Sequence, residues 1–101
     1  MGYMILIRKV SSKDDKHYYS VFKDNSLNEI NYYIGIDQNK KKIFFYEDID
    51  YQNQFGTLDS QTGTFEQIDT DKKTRINGRV LSKCYEAIKK NNFPQSLSWE
   101  S

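Results

Sequence analysis

Two Asp-x-Asp spacings, Asp48-Ile49-Asp50 and Asp69-Thr70-Asp71, come nearest in this sequence to residues placed for chemistry. On a strand, residues two apart share a face, so each pair would offer two carboxylates to a divalent cation. Neither pair continues as a calcium-binding loop: Asn53 stands where that loop needs glycine, and no glutamate closes it. No metal site is therefore expected. His17 is the only histidine, so a zinc centre, a catalytic triad or a histidine acid-base pair lacks its usual parts. Cys84 is the only cysteine. It falls in the middle of an apolar helical arc, where a thiol behaves as a small hydrophobe rather than a nucleophile. The five glycines, Gly2, Gly35, Gly56, Gly63 and Gly78, stand apart, and isolated glycines do not build a phosphate-cradling loop. The expectation is a protein that is not an enzyme and carries no cofactor.

Binding chemistry is better represented. Residues 43–71 hold Glu47, Asp48, Asp50, Asp59, Glu66, Asp69 and Asp71 without a single Lys, Arg or His. The three stretches 1–42, 43–71 and 72–101 carry net charges of +3, −7 and +5, so a near-neutral chain hides a segregated pattern. Segregation of this kind bears on association more than on fold. A plain reading is that the acids keep edge strands soluble and unpaired. Tyr46, Tyr51 and Phe55 interleave with them, however, and aromatics beside aligned charges are interface chemistry. The expected partner-binding set is Tyr46, Glu47, Asp48, Asp50, Tyr51, Asp59, Glu66 and Asp69. Within it, Asp48 and Asp50 are expected to share one face at the end of a strand.

Basic residues offer the rival surface. Placed at about 100° per residue, Lys72, Arg79, Lys83 and Lys90 fall along one line of a helix over 72–91, a ridge that could track phosphates. Glu86 lies beside that line and pairs by spacing with Lys83 and Lys90, and the neighbouring acids would repel nucleic acid. Nucleic-acid binding by this helix is the alternative, and protein binding is preferred.

The elements that position these residues read as follows. Tyr3–Val10 is apolar at both parities and predicts a strand buried on both faces; His17–Lys23 predicts its hairpin partner. Ile30, Tyr32, Ile34 and Ile36 alternate with Asn31, Tyr33, Gly35 and Asp37, the pattern of a half-buried antiparallel strand. Ile43–Tyr46 returns beside it, and Phe55–Leu58 with Thr64–Ile68 makes a last, shorter hairpin. Over 72–91 the period changes: Ile76, Val80, Leu81, Cys84, Tyr85, Ala87 and Ile88 gather on one side, which predicts an amphipathic helix. Thr70 or Asp71 can cap its start, unless Gly78 shifts the start to Asn77; Asn91, Asn92 and Pro94 can end it. Leu97 and Trp99 predict that the tail docks. The fold class is therefore α+β: a twisted antiparallel sheet of five or six strands with one C-terminal amphipathic helix on one face. The expected core is Met4, Leu6, Tyr18, Phe22, Tyr32, Ile34, Ile43, Phe45, Val80, Cys84 and Ile88.

A chain of 101 residues is expected to form a single domain, 1–101, and its high aromatic content, 15%, supplies core that aliphatics would otherwise share. The start, MGYMILIRKV, carries only a short apolar run with no small-residue cleavage pattern after it. Neither a secretory signal nor a membrane span is expected, and with a lone cysteine the expected location is the cytoplasm.

An antiparallel sheet, one late helix, no catalytic set and a local acidic patch together resemble the small bacterial immunity proteins of contact-dependent growth inhibition and related polymorphic toxin systems. The segment YYIGIDQNKKKIFFYEDID, a strand, a polar turn and a strand ending in acids, is the part most similar in character. The resemblance covers architecture and style and rests on no diagnostic motif. It implies a protein that neutralises a cognate toxin, often a nuclease, by covering its basic active site; the chain is expected to be a monomer when not bound to that partner. Many such inhibitors are acidic overall; this chain, with a sequence pI near 7.8, is not.

Overall fold

In a computed structural model, which describes residues 2–100, the chain runs β1 (Met4–Ile5), β2 (Ile7–Lys13), β3 (Lys16–Phe22), β4 (Ile30–Asp37), β5 (Lys42–Tyr46), β6 (Gln54–Asp59), β7 (Thr64–Ile68), α1 (Thr70–Lys73), α2 (Gly78–Lys90) and β8 (Trp99–Glu100). Strands β2 to β7 form one six-stranded antiparallel sheet in chain order, and β1 pairs with β8 in a separate two-stranded ribbon. The class is α+β, as the patterning predicts.

Alternation along the strands gives the sheet two faces. Across the inner face run Tyr19, Ile34 and Phe45 in one row and Ile36, Ile43 and Leu58 in the next, each residue the cross-strand partner of its neighbour. All six are buried, and they share one cluster with Val80, Cys84, Ala87 and Ile88 of α2, so the helix covers this face. Burial of large apolar side chains is worth about 1.5 to 3 kcal/mol each, so this one face supplies most of what holds the fold.

The first two strands correct the sequence reading. Ile5, Ile7, Tyr19 and Val21 are the buried apolar residues, whereas Met4, Leu6, Tyr18 and Phe22 are only partly buried. The core expected from patterning lies on the opposite face of these strands. Both parities of these strands are apolar, so periodicity cannot tell inside from outside, and a one-residue slip flips every side chain. The first strand is also divided, into β1 and β2, and a bulge between Lys9 and Ser11 interrupts β2.

The helix over 72–91 is likewise two elements. Asp69 caps the single turn of α1 by accepting from the Asp71 amide, and Asn77 caps α2 by accepting from the Arg79 amide at 2.8 Å. Asn91 ends α2 in the left-handed conformation that asparagine tolerates. The chain then docks, as Leu97 and Trp99 predict. The Tyr19 hydroxyl donates to the Pro94 carbonyl at 2.6 Å, the Lys9 amide to Gln95 at 2.8 Å and the Leu97 amide to Ile7 at 3.0 Å. This segment lies along the edge of β2, satisfying backbone groups an edge strand would leave open. His17 stacks on Phe93 with ring centroids 4.1 Å apart, so the lone histidine packs under the tail.

Candidate functional site

The outer face of the sheet carries no helix, and its side chains follow from the same register. Tyr18, Gly35 and Phe44 are cross-strand neighbours on β3, β4 and β5, and the next row holds Ser20, Tyr33 and Tyr46. The pairs Tyr18-Tyr19 and Tyr32-Tyr33 thus straddle the sheet, each sending one ring inward and one outward. Gly35 is needed where it stands. A Cβ there would lie 3.0 Å from Tyr18 and 3.2 Å from Tyr46, because both rings lean over its backbone.

Residues 47–53 loop from β5 to β6 and lay Tyr51 across this face. The Glu47 amide donates to the Asn53 carbonyl at 2.9 Å, closing the loop, and the Tyr51 amide donates to Asp48 at 3.2 Å, making a turn of 48–51. Tyr51 has φ of 58°, and among the described residues it is the only aromatic with positive φ; Asp14, Asn25, Lys41 and Asn91 are the other non-glycines. Its ring lies 4.3 Å from that of Tyr18, tilted 34°, and meets Tyr46 at 5.1 Å and Tyr33 at 6.4 Å edge to face. Tyr18 forms the floor of a box, Tyr33 and Tyr46 form two walls, and Tyr51 fills it. Burial raises the pKa of the Tyr46 phenol to about 12, with Tyr18 and Tyr51 adding to the rise. Burial also raises that of Tyr51, and the Ser11 hydroxyl partly opposes it. Even so, the buried Tyr51 oxygen has no partner in hydrogen-bonding geometry.

The expected binding residues divide on this framework. Tyr46 and Tyr51 meet in the box, half-buried rather than free. Glu47 is held by Arg75 and by Lys72 at 3.5 Å, and Arg75 also donates to the backbone and side chain of Asn31, tying the α1–α2 link to the sheet. Glu66 pairs with Lys42 at 3.0 Å; Asp59 lies opposite Lys42 in the register and caps its own turn by accepting from the Gln61 amide. Asp69 caps α1 and reaches Lys72 at 4.0 Å. Asp48 and Asp50 do not share a strand face, since β5 ends at Tyr46 and both sit in the turn. Asp48 accepts from the Asn53 side chain at 2.5 Å and the Gln52 amide at 3.3 Å, while Asp50 is exposed beside Ile49, itself 54% exposed. Neither carboxylate makes a salt bridge among the described residues.

Tyr18, Tyr33 and Gly35 belong to this surface and were not among the expected site residues. Their signal was the doubled tyrosines of β3 and β4: two adjacent rings on a strand must occupy both faces.

The basic line of the helix is broken up. Lys72 lies outside α2 and is committed to Glu47, Lys90 pairs with Glu86 at 3.1 Å, and Arg79 lies over Tyr3 at 4.4 Å and Trp99 at 4.8 Å. Cys84 is fully buried, and burial pushes its thiol up to about 12. Among the described residues no three His, Cys, Asp or Glu converge as a metal-binding group, and no helix is long and apolar enough to cross a membrane.

No family model matches the chain, no curated protein matches its sequence and no solved structure matches its fold.

Proposed function

We propose that this chain is a protein-binding module that acts as an immunity-type inhibitor, occupying a cognate toxin domain stoichiometrically and covering its active site. One observation carries the reading: the helix-free face of the sheet presents a tyrosine cluster next to a loop tip where Ile49 is exposed and Asp48 and Asp50 make no salt bridge among the described residues. Tyrosine supplies large contact area at small entropic cost, and it is enriched where interfaces concentrate their energy. Two acids at the rim favour a partner with a basic patch. The phosphate-tracking alternative has less support, because Lys72, Arg79 and Lys90 are engaged within the chain.

The test begins with the protein encoded beside this one. Its C-terminal domain is expressed with and without the chain, growth is scored, and the purified pair is titrated calorimetrically. Rescue of growth with one-to-one binding, both weakened by Tyr46→Ala or Asp50→Lys, is the expected outcome. Unimpaired rescue by both variants would move the contact off this face. Absence of any binding would remove the inhibitor reading.

A further inference from the structure

We infer that the seat filled by Tyr51 is the receiving slot for an arginine side chain of the partner, and that Tyr51 is a plug displaced when that arginine enters. The inference deepens the protein-binding reading and rests on it.

The seat has the right shape. It is a flat slot with Tyr18 as its floor and Tyr33 and Tyr46 as walls set nearly perpendicular to the plug, at 84° and 76°. A guanidinium is planar, stacks on aromatic faces and is less strongly hydrated than an ammonium, so a slot of this kind takes arginine in preference to lysine. Charge agrees with shape. Asp48 and Asp50, without salt bridges of their own among the described residues, stand in the same turn as Tyr51 and add negative charge beside the rings. A phosphate or a nucleobase on its backbone would meet those acids unfavourably. The chain already packs a guanidinium on an edge-to-face aromatic pair elsewhere: Arg79 lies over both Tyr3 and Trp99.

Two features mark Tyr51 as a replaceable occupant. Its backbone is left-handed, a conformation that an aromatic residue adopts under constraint, and its hydroxyl is buried without a hydrogen-bond partner. Both are relieved when the turn lets go. An incoming guanidinium brings donors that the carboxylate of Asp48 or Asp50 can accept, so exchange replaces an unsatisfied polar group with a satisfied one.

The test needs no knowledge of the partner. The ¹H–¹⁵N spectrum is titrated with N-acetyl-arginine amide, N-acetyl-lysine amide and a short oligothymidylate, using the wild type, Tyr51→Asn and Tyr51→Phe. Asparagine accepts the left-handed backbone and empties the slot; phenylalanine keeps the ring and removes the orphaned hydroxyl. Arginine amide should shift the Tyr18, Gly35 and Tyr46 amides, saturating at several-fold lower concentration in Tyr51→Asn and several-fold higher in Tyr51→Phe than in wild type. Lysine amide should fall well behind. A folded Tyr51→Asn variant that shows no arginine response, or an equal response to lysine, overturns the slot. Tighter thymidylate binding at the same amides assigns the face to nucleic acid instead. Should Tyr51→Asn not fold, equal or tighter arginine binding by Tyr51→Phe than by wild type overturns the plug. Toxin binding that persists without an arginine response removes the slot alone, and an arginine response without any toxin partner leaves the slot standing while the inhibitor reading falls.

Discussion

Replacing Asp48 and Asp50 one at a time should separate an acid that builds the loop from an acid that faces outward. Asp48 accepts from the Asn53 side chain at 2.5 Å and from the Gln52 amide at 3.3 Å, and its carbonyl accepts from the Tyr51 amide at 3.2 Å. A hydrogen bond to a charged acceptor contributes about 1.5 to 3 kcal/mol when well made, and a neutral or long one about 0.5 to 1.5. The loop is half-exposed, so water replaces part of what is lost. Asp48→Lys should therefore cost about 1 to 2 kcal/mol, most of it as local opening of the loop. The Asp50 carboxylate makes no hydrogen bond among the described residues, and only its backbone carbonyl accepts, from the Gln52 side chain at 3.3 Å, a contact a new side chain leaves in place, so Asp50→Lys should stay within about 0.5 kcal/mol. Urea denaturation gives the global difference, and amide exchange at Tyr51 and Gln52 gives the local one. Exchange at these two amides should quicken in Asp48→Lys and hold in Asp50→Lys. Equal stability and equal exchange in the two variants would refute the loop assignment.

The inner face of β2 can be checked with neighbouring residues: Ile7→Ala should cost about 2 to 5 kcal/mol, and Leu6→Ala much less, by urea denaturation; the reverse order would restore the face assignment that patterning alone suggests. Stability should also fall as pH climbs from about 9 to about 12. Cys84 is raised from 9.0 to about 12 and Tyr46 from 10.0 to about 12, so over that window the unfolded chain loses protons that the folded chain keeps. Denaturation midpoints along the pH series read this directly, and a thiol reagent should leave Cys84 untouched until the chain unfolds. A flat profile with a reactive native thiol would contradict the burial of both groups.

What the sequence made legible depends on whether the two faces of an element differ in polarity. In β4 the outward residues include Asn31, Gly35 and Asp37, so the inward set of Tyr32, Ile34 and Ile36 could be read without a structure. In Tyr3–Ile7 and in β3 both sets include apolar residues, so the choice between them rests on long-range packing, and neither the bulge after Lys9 nor the tail along β2 leaves a local pattern. The helix divided because two caps compete: Asp69 and Asn77 both find amides to accept from, and residues 74–77 between them turn the chain and place Arg75 against Glu47 and Asn31. Contacts like the one between Glu47 and Arg75, 28 residues apart, have no local signature. The candidate site was legible as an aromatic-acidic neighbourhood around Tyr46 and Tyr51. Its completion by Tyr18, Tyr33 and Gly35 depends on strand register.

Folding also changes what the charge segregation means. Along the chain the acids of 43–71 stand apart from the bases that follow, yet in space Glu47 meets Lys72 and Arg75, Asp69 meets Lys72, and Glu66 of β7 meets Lys42 of β5 across the intervening β6. These are partly exposed pairs, each worth little alone, but together they offset part of the field that the sequence suggests, engaging Glu47, Glu66 and Asp69. What survives without an ionic partner next to the tyrosines is a small tip, Asp48 and Asp50. A surface with two uncompensated acids steers a partner weakly at physiological ionic strength, where screening acts over about 8 Å. Recognition on this face must then come from the fit of the tyrosines rather than from long-range attraction, and binding should respond far more to the loss of a ring than to added salt.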